Sequence, residues 1–474
     1  MKRSKRLYIM LAVLAVACAA AFAATRMEES KEQIKTTGEI ILEIPSDDVT
    51  SLSWEYGGST LSFRREDDVW LYDEDEVFPV DEEKIHEMLE QFEAFGVSFI
   101  IEEVTDYRVY GLTEPECVIS FATAEQSYTL ELGDFSSMDE ERYVSIGDGN
   151  VYLAKTDPLE QFDVGISELI QHDKALAYRE ISQIVFDGIE NYTVFYDEEN
   201  SISYCEDDVY FTEKNGNVLP LDTYRVGNWL ESLTTLSLTD YVSYSVTDAE
   251  LESYNLLDPE LTVTVDYINE DEKGKEFSDT YVLSISRNPE ELKAAEEAEA
   301  NGEEAETVSA YVRIGDSQIV YRVSEYDSNN IRAMTYNHLR HREVFPADFE
   351  NVYQINVRLD GSDYSFAVDG IDDERIWKYQ DIEIEPDDIQ NALENLEVEY
   401  SDDFVSDEPT GKEEISLTVH LDNENRPRVE IVLYRRDGDH CLAVVDGESF
   451  ALVPRNDVVE LIETINSIIL NITK

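Results

Sequence analysis

Five residues near the middle of the chain, Arg332, His338, Arg340, His341 and Arg342, gather cationic and titratable side chains in an otherwise acidic sequence. Two imidazoles three residues apart could share one helical face and hold a metal ion. Arg340 and Arg342 would repel a cation there and no third ligand accompanies the pair, so the spacing specifies no metal. Two other roles suit the island. It could neutralise acids on an adjoining module and stiffen the joint, or it could contact an anionic partner or wall polymer.

The other chemistry-bearing patterns are incomplete. Gly165-Ile166-Ser167-Glu168-Leu169 lacks the closing glycine of a nucleophile elbow, and Gly147-Asp148-Gly149-Asn150 reads as a hairpin turn, not a phosphate loop. Asn269 to Gly274 begins like a calcium loop, but it lacks a first acid and has Thr280 where the bidentate glutamate belongs. Paired carboxylates are so abundant that no single pair points to glycoside chemistry. Cys117, Cys205 and Cys441 follow Cys18 at unrelated places, which makes no disulfide framework and reads as apolar filling in strands. Trp54, Trp70, Trp229 and Trp377 fall at strand ends or on an apolar helix face, where core packing is expected. No catalytic residue, cofactor-binding residue or metal ligand is assigned, no cofactor is expected, and no small-molecule ligand is specified.

The elements that would position these residues are repeated. A helix pattern after Asp81 puts Ile85, Met88, Leu89 and Phe92 on one face. It returns as Val226, Trp229, Leu230 and Leu233, and again as Ile389, Ala392, Leu393 and Leu396. An aromatic strand ending precedes each helix: Val69-Trp70-Leu71-Tyr72, Val209-Tyr210-Phe211, Ile376-Trp377-Lys378-Tyr379. After the first two helices comes a matched turn, built on Tyr110, Gly111, Leu112 and Pro115, then on Tyr254, Asn255, Leu256 and Pro259. Gly111 and Asn255 are equivalent, and both types tolerate a left-handed backbone. The third copy keeps only Asp407-Glu408-Pro409. Hairpins follow at Tyr143-Val144-Ser145-Ile146-Gly147-Asp148, Tyr311-Val312-Arg313-Ile314-Gly315-Asp316 and Leu442-Ala443-Val444-Val445-Asp446-Gly447. Helix-like stretches around Asp157 to Gln171, Asp327 to His341 and Asn456 to Ile469 close the modules.

This ordered set resembles the domain of unknown function 4340 (DUF4340) family, best over residues 49 to 171, partly over 182 to 341 and weakly beyond 350. The resemblance implies a membrane-anchored bacterial protein of the kind encoded beside ABC transporter components linked to gliding motility. It brings no catalytic residues with it.

Placement follows from the N-terminus. Lys2, Arg3, Lys5 and Arg6 precede an uncharged segment from Leu7 to Ala24, and Arg26 ends it. Eighteen residues at about 1.5 Å each give roughly 27 Å, enough to cross the hydrocarbon core of a bilayer. The basic leader keeps the N-terminus cytoplasmic and exports the remainder. Ala21-Phe22-Ala23 also fits a signal-peptidase site, and Ala15-Val16-Ala17-Cys18 loosely fits a lipoprotein box. The net charge is −70, and after Arg26 there remain 31 basic against 106 acidic residues. Nucleic acid is excluded as a partner because its phosphates need a cationic surface. Such a charge keeps the exterior soluble and self-repelling; a cation-binding or adhesive surface is the other reading. With 42% hydrophobic residues, 28 Tyr and 18 Phe, the chain has enough apolar content to fold.

The expectation is an α+β protein of tandem modules, each a mainly antiparallel sheet packed with one or two helices, after an N-terminal transmembrane helix; residues 1–26 hold the basic leader and the transmembrane anchor or signal. The modules run over 38–178, 179–343 and 344–474, with an acidic, partly helical insertion at 288–307 in the second. The expected role is a non-enzymatic extracytoplasmic component of a membrane assembly. An envelope enzyme acting on glycan or wall substrates is the alternative.

Overall fold

The computed structural model describes residues 33–36, 38–214, 216–271, 273–332, 334–370 and 375–472. The expected anchor over 1–26, with Cys18, lies outside the described residues. Among the described residues no helix is long and apolar enough to cross a membrane.

The chain divides into two compact units, with the break in sequence between His172 and Asp173. The first unit holds a ten-stranded sheet. Its strands are β1 (Gln33–Thr36), β2 (Ile40–Leu42), β3 (Val49–Tyr56), β4 (Ser59–Glu66), β5 (Val69–Tyr72), β6 (Phe95–Glu102), β7 (Cys117–Thr123), β8 (Ser127–Ser136), β9 (Glu141–Ser145) and β10 (Val151–Ala154). Helix α1 (Glu82–Glu90) lies between β5 and β6, and α2 (Leu159–Phe162) follows β10.

The second unit holds two sheets. The first comprises β11 (Glu180–Asp187), β12 (Tyr192–Tyr196), β13 (Tyr210–Lys214), β14 (Asn217–Pro220), β15 (Tyr241–Ser243), β16 (Leu261–Glu270), β17 (Glu276–Arg287), β18 (Ala310–Ile314) and β19 (Val320–Val323). Its helices are α3 (Thr223–Thr234), α4 (Asp248–Ser253), α5 (Pro289–Asn301), α6 (Glu325–Arg332) and α7 (Tyr336–Leu339). The other sheet comprises β20 (Val352–Leu359), β21 (Ser362–Asp369), β22 (Ile376–Tyr379), β23 (Ile382–Glu383), β24 (Glu413–Leu421), β25 (Arg428–Arg435), β26 (His440–Val445) and β27 (Glu448–Pro454). With it come α8 (Asp387–Glu394) and α9 (Arg455–Ile472).

Seven strands recur in one order: β5-β4-β3-β7-β8-β9-β10, then β13-β12-β11-β16-β17-β18-β19, then β22-β21-β20-β24-β25-β26-β27. The pairs joining them are antiparallel. Three strands meander, a helix crosses over, and the fourth strand returns beside the first. Short hairpin connections permit only this antiparallel growth, and the helix covers the face it crosses. The mainly antiparallel α+β architecture expected from the hairpins is therefore present.

Each crossover helix buries the face that its spacing marks. All twelve apolar positions named above are at most 3% exposed. Asp81 caps α1 by accepting from the Glu83 and Lys84 amides, and Asp222 caps α3 by accepting from those of Tyr224 and Arg225. The third copy has Pro386 there and no side-chain cap, with Asp387 and Asp388 in the first turn to complement the helix dipole instead. The acidic insertion forms α5 between β17 and β18, capped by Asn288 and ended by left-handed Gly302.

The matched turn plugs one end of the sheet. Gly111 and Asn255 have φ of 69° and 57°. At Gly111 an added Cβ would also sit 2.4 Å from Asp134 Oδ1, so this copy needs glycine for space as well as for conformation. Tyr110 and Leu112 pack with Val151 and Leu153 in the first unit, and Leu256 packs with Val320 in the second. Across the plug, Tyr110 meets Tyr143 with ring centroids 4.9 Å apart, and Tyr254 meets Tyr311 at 4.5 Å. The turn and the hairpin, two separate parts of the repeated pattern, are thus in contact.

Candidate functional site

In the third sheet the Tyr-Gly-Leu turn is replaced. Leu442, 1% exposed, stands where Tyr143 and Tyr311 stand in the other sheets, and a short turn at Ser401–Asp403 leads to Phe404, which meets Phe450 of β27 edge-on with ring centroids 5.6 Å apart. Beside this pair lies a cleft of about 840 Å³ within the second unit. One wall comes from β14, α7 and the loop before β13; the other comes from Phe404, Ser406, Asp446, Ser449 and Phe450.

Arg340 projects into this cleft from the second sheet's closing segment. Its guanidinium carbon lies 4.2 Å from the Phe404 ring centroid, 4.4 Å from Phe450 and 5.1 Å from Tyr336. Lys214 Nζ lies over Tyr336 at 4.3 Å. Among the described residues Arg340 makes no ion pair, and its side chain donates no hydrogen bond. Burial pushes its pKa down, only partly offset by nearby tyrosines. The neighbouring rings attract the guanidinium, while its five N–H donors make no hydrogen bond to the described residues.

The rest of the island divides. Helix α7 is a single turn that ends at Leu339, and Arg340 is already extended (φ −78°, ψ 161°). His338 and His341 consequently do not share a helical face. His338 Nδ1 is 2.8 Å from Thr335 Oγ1, and burial, followed by Arg342, lowers its pKa. Arg332 lies 3.3 Å from Glu260 Oε2 of its own module, off the line of a hydrogen bond, since its Nε has no hydrogen-bond partner. Arg342 donates to the Glu399 carbonyl at 2.8 Å. Among the described residues, Arg340 and Arg342 reach past residue 343, to ring faces and to a backbone oxygen, and the Asp402 carboxylate also acts on His338 across the joint.

His341 sits in a polar wall beside the cleft. Its Nε2 is 2.7 Å from Oδ1 of Asp208, whose side chain is 1% exposed. Ser203 Oγ donates to the other carboxylate oxygen at 2.6 Å. Burial opposes charge on the imidazole, but Asp208, helped by Asp222 and Glu343, outweighs it and raises the pKa. The serine bonds the carboxylate and not the imidazole, so no activated nucleophile results. Cys205 belongs to this loop, not to a strand, which corrects the reading of the cysteines as strand fillers; Cys117 and Cys441 are in β7 and β26 and buried. Burial pushes the Cys205 thiol up to about 12.

The strand order and its threefold recurrence can now be set against known proteins. A model of a domain of unknown function, DUF4340, matches residues 70–198 and 214–418. The chain belongs to the DUF4340 family. No curated protein matches it. A solved structure described as "Ca2+-stabilized adhesin helps an Antarctic bacterium reach out and bind ice" shares 8% identity, covering 90% of this chain and 86% of that one, at a TM-score of 0.08. A score that low carries no argument about fold or function.

Of the two stretches of this DUF4340 chain that the model matches, the second includes part of the cleft, from Lys214 to Ser406; Ser203 and Tyr204 fall between the stretches, and Arg426, Asp446 and Phe450 lie beyond them. The loop from Asp197 to Val209 is fixed to the third module by Asn425 Nδ2, which donates to the Asn200 and Ser203 carbonyls at 2.7 and 3.0 Å. Tyr204 stacks on Phe345 at 6.1 Å. Sequence reasoning missed Asp208, Ser203, Phe404 and Phe450. The one available signal was the absence of the turn motif in the third copy, which marks the sheet end where the cleft opens.

Proposed function

We propose that this protein is a non-enzymatic, extracytoplasmic binding component, held to the membrane by its N-terminal segment and working with an ABC transporter assembly. Its binding site is the cleft beside the Phe404–Phe450 pair of the third sheet. The observation that carries this reading is Arg340, a cation with unused in-plane donors and no acid partner, in a chain of net charge −70. With acids so numerous, an arginine left unpaired inside a cleft is reserved for an external acceptor. Planar N–H pairs match a carboxylate or a phosphate, whether borne by a small molecule or by an acidic polymer end. Phe404, Phe450 and Tyr336 would grip the apolar part of such a ligand, and Ser406 lines the cleft with its hydroxyl, while that of Ser449 donates to the Asp407 carbonyl. Membrane placement is supported by the basic leader and the apolar Leu7 to Ala24 stretch, and the transporter link by the family's expected company.

Crosslinking followed by affinity capture of the full chain from intact membranes tests the assembly. Recovery of transporter subunits at stoichiometric yield is the expected outcome. Recovery of soluble monomer with no transporter subunit would overturn it.

A further inference from the structure

We infer that the polar wall beside the cleft is a site for a zinc-class divalent cation, with Cys205, Asp208 and His341 as its three protein ligands. One thiol sulfur, one carboxylate oxygen and one imidazole nitrogen, drawn from chain positions more than 130 residues apart, all lie within 4.8 Å of one another. Sulfur, nitrogen and oxygen together are the donor set of borderline-soft ions such as zinc and cobalt; calcium and magnesium take oxygen alone. Three protein ligands leave a fourth tetrahedral position, and the cleft is where it would open, because Ser203, His341 and Glu343 line it.

The surroundings are those of a supported metal site. Ser203 Oγ holds the outer oxygen of Asp208, and backbone bonds hold the loop: the Cys205 amide donates to Ser203 Oγ at 3.0 Å, and Asn200 Nδ2 donates to the Cys205 carbonyl at 2.7 Å. On the far side of the ring, His341 Nδ1 is 3.9 Å from Glu343 Oε2, a buried oxygen with no hydrogen-bond partner. Asp222 and Glu343 form a second group with His341 within the same 4.8 Å limit. A carboxylate behind the imidazole adds negative charge next to the ring, although at this distance it makes no hydrogen bond to Nδ1. Without metal, His341 and Asp208 bond each other. With metal, the ion replaces that bond, the thiol releases its proton to solvent as the sulfur–metal bond forms, and any proton shared by the imidazole leaves as well. The Arg340 and Arg342 side chains that argue against a metal in the sequence point elsewhere, one into the aromatic clamp and the other to the Glu399 carbonyl.

Cobalt titration of reduced, chelator-treated full-length protein tests this without interference from surface acids, because only a thiolate ligand gives a sulfur-to-cobalt charge-transfer band. The expected result is one cobalt per chain with that band and tetrahedral visible absorption, displaced by zinc but not by excess magnesium. Both signals should be lost in Cys205→Ser and in His341→Asn. As a check independent of the variants' folding, zinc should protect Cys205 from alkylation in the unaltered protein, read by peptide mass spectrometry. Absence of the thiolate band, its persistence in Cys205→Ser, or unprotected Cys205 would each overturn the site. Loss of transporter capture would leave these readouts untouched, so the two proposals fail separately.

Discussion

Replacing Asp208 by alanine in metal-free protein is expected to destabilise the second unit by about 3–5 kcal/mol, the range for breaking a buried charged pair from one side. The carboxylate is almost wholly enclosed, and it satisfies both Ser203 Oγ and His341 Nε2. Its removal takes away the contribution that raises the His341 pKa, and leaves the buried imidazole and Ser203 Oγ without their acceptor in the loop that Asn425 ties down. Urea denaturation followed by circular dichroism reads the loss. The double variant Asp208→Ala/His341→Ala should recover part of it, because no unpartnered buried imidazole then remains. Strictly additive effects of the two substitutions would show that the pair does not act as a unit.

Trp229→Ala is expected to be comparably severe, at about 3–5 kcal/mol, the range for truncating a large buried aromatic. Trp229 is 3% exposed, its ring centroid is 4.7 Å from that of Phe186, and its indole N–H donates to the Ile331 carbonyl at 3.3 Å. That bond ties the crossover helix α3 to the closing helix α6, directly upstream of Arg340. The same urea experiment applies, and a loss below about 1 kcal/mol would place Trp229 outside the folding core. Trp229→Phe keeps most of the apolar volume and should lose much less.

The scaffold was legible because its signals are local. A helix face repeats within four residues and a hairpin turn within six, so Ile85, Val226, Ile389 and their neighbours announce themselves, as do Gly111 and Asn255. The site was not legible for the opposite reason. It joins Ser203, Asp208, Arg340, Phe404 and Phe450, and no local period connects residues separated by up to 247 positions. The basic island shows the same limit at short range. Reading Arg332 to Arg342 as one patch assumes a continuous helix, yet α7 stops at Leu339 and the extended residue after it turns Arg340 and His341 toward different environments. Comparison among the three copies bridges part of that gap. Where two sheets keep a tyrosine pair and a Tyr-Gly-Leu or Tyr-Asn-Leu turn, the third has a different turn and the Phe404–Phe450 pair, and the cleft lies beside it.

The most direct measurement places a photo-crosslinking residue at Ser449, in the cleft wall opposite α7, in the full chain within intact membranes, and compares adducts with and without Arg340→Gln. The account predicts a discrete adduct carrying a carboxylate or a phosphate, lost or strongly reduced in the Arg340→Gln protein while its melting temperature is retained. An equal adduct yield with and without Arg340, or no adduct beyond solvent, would contradict it.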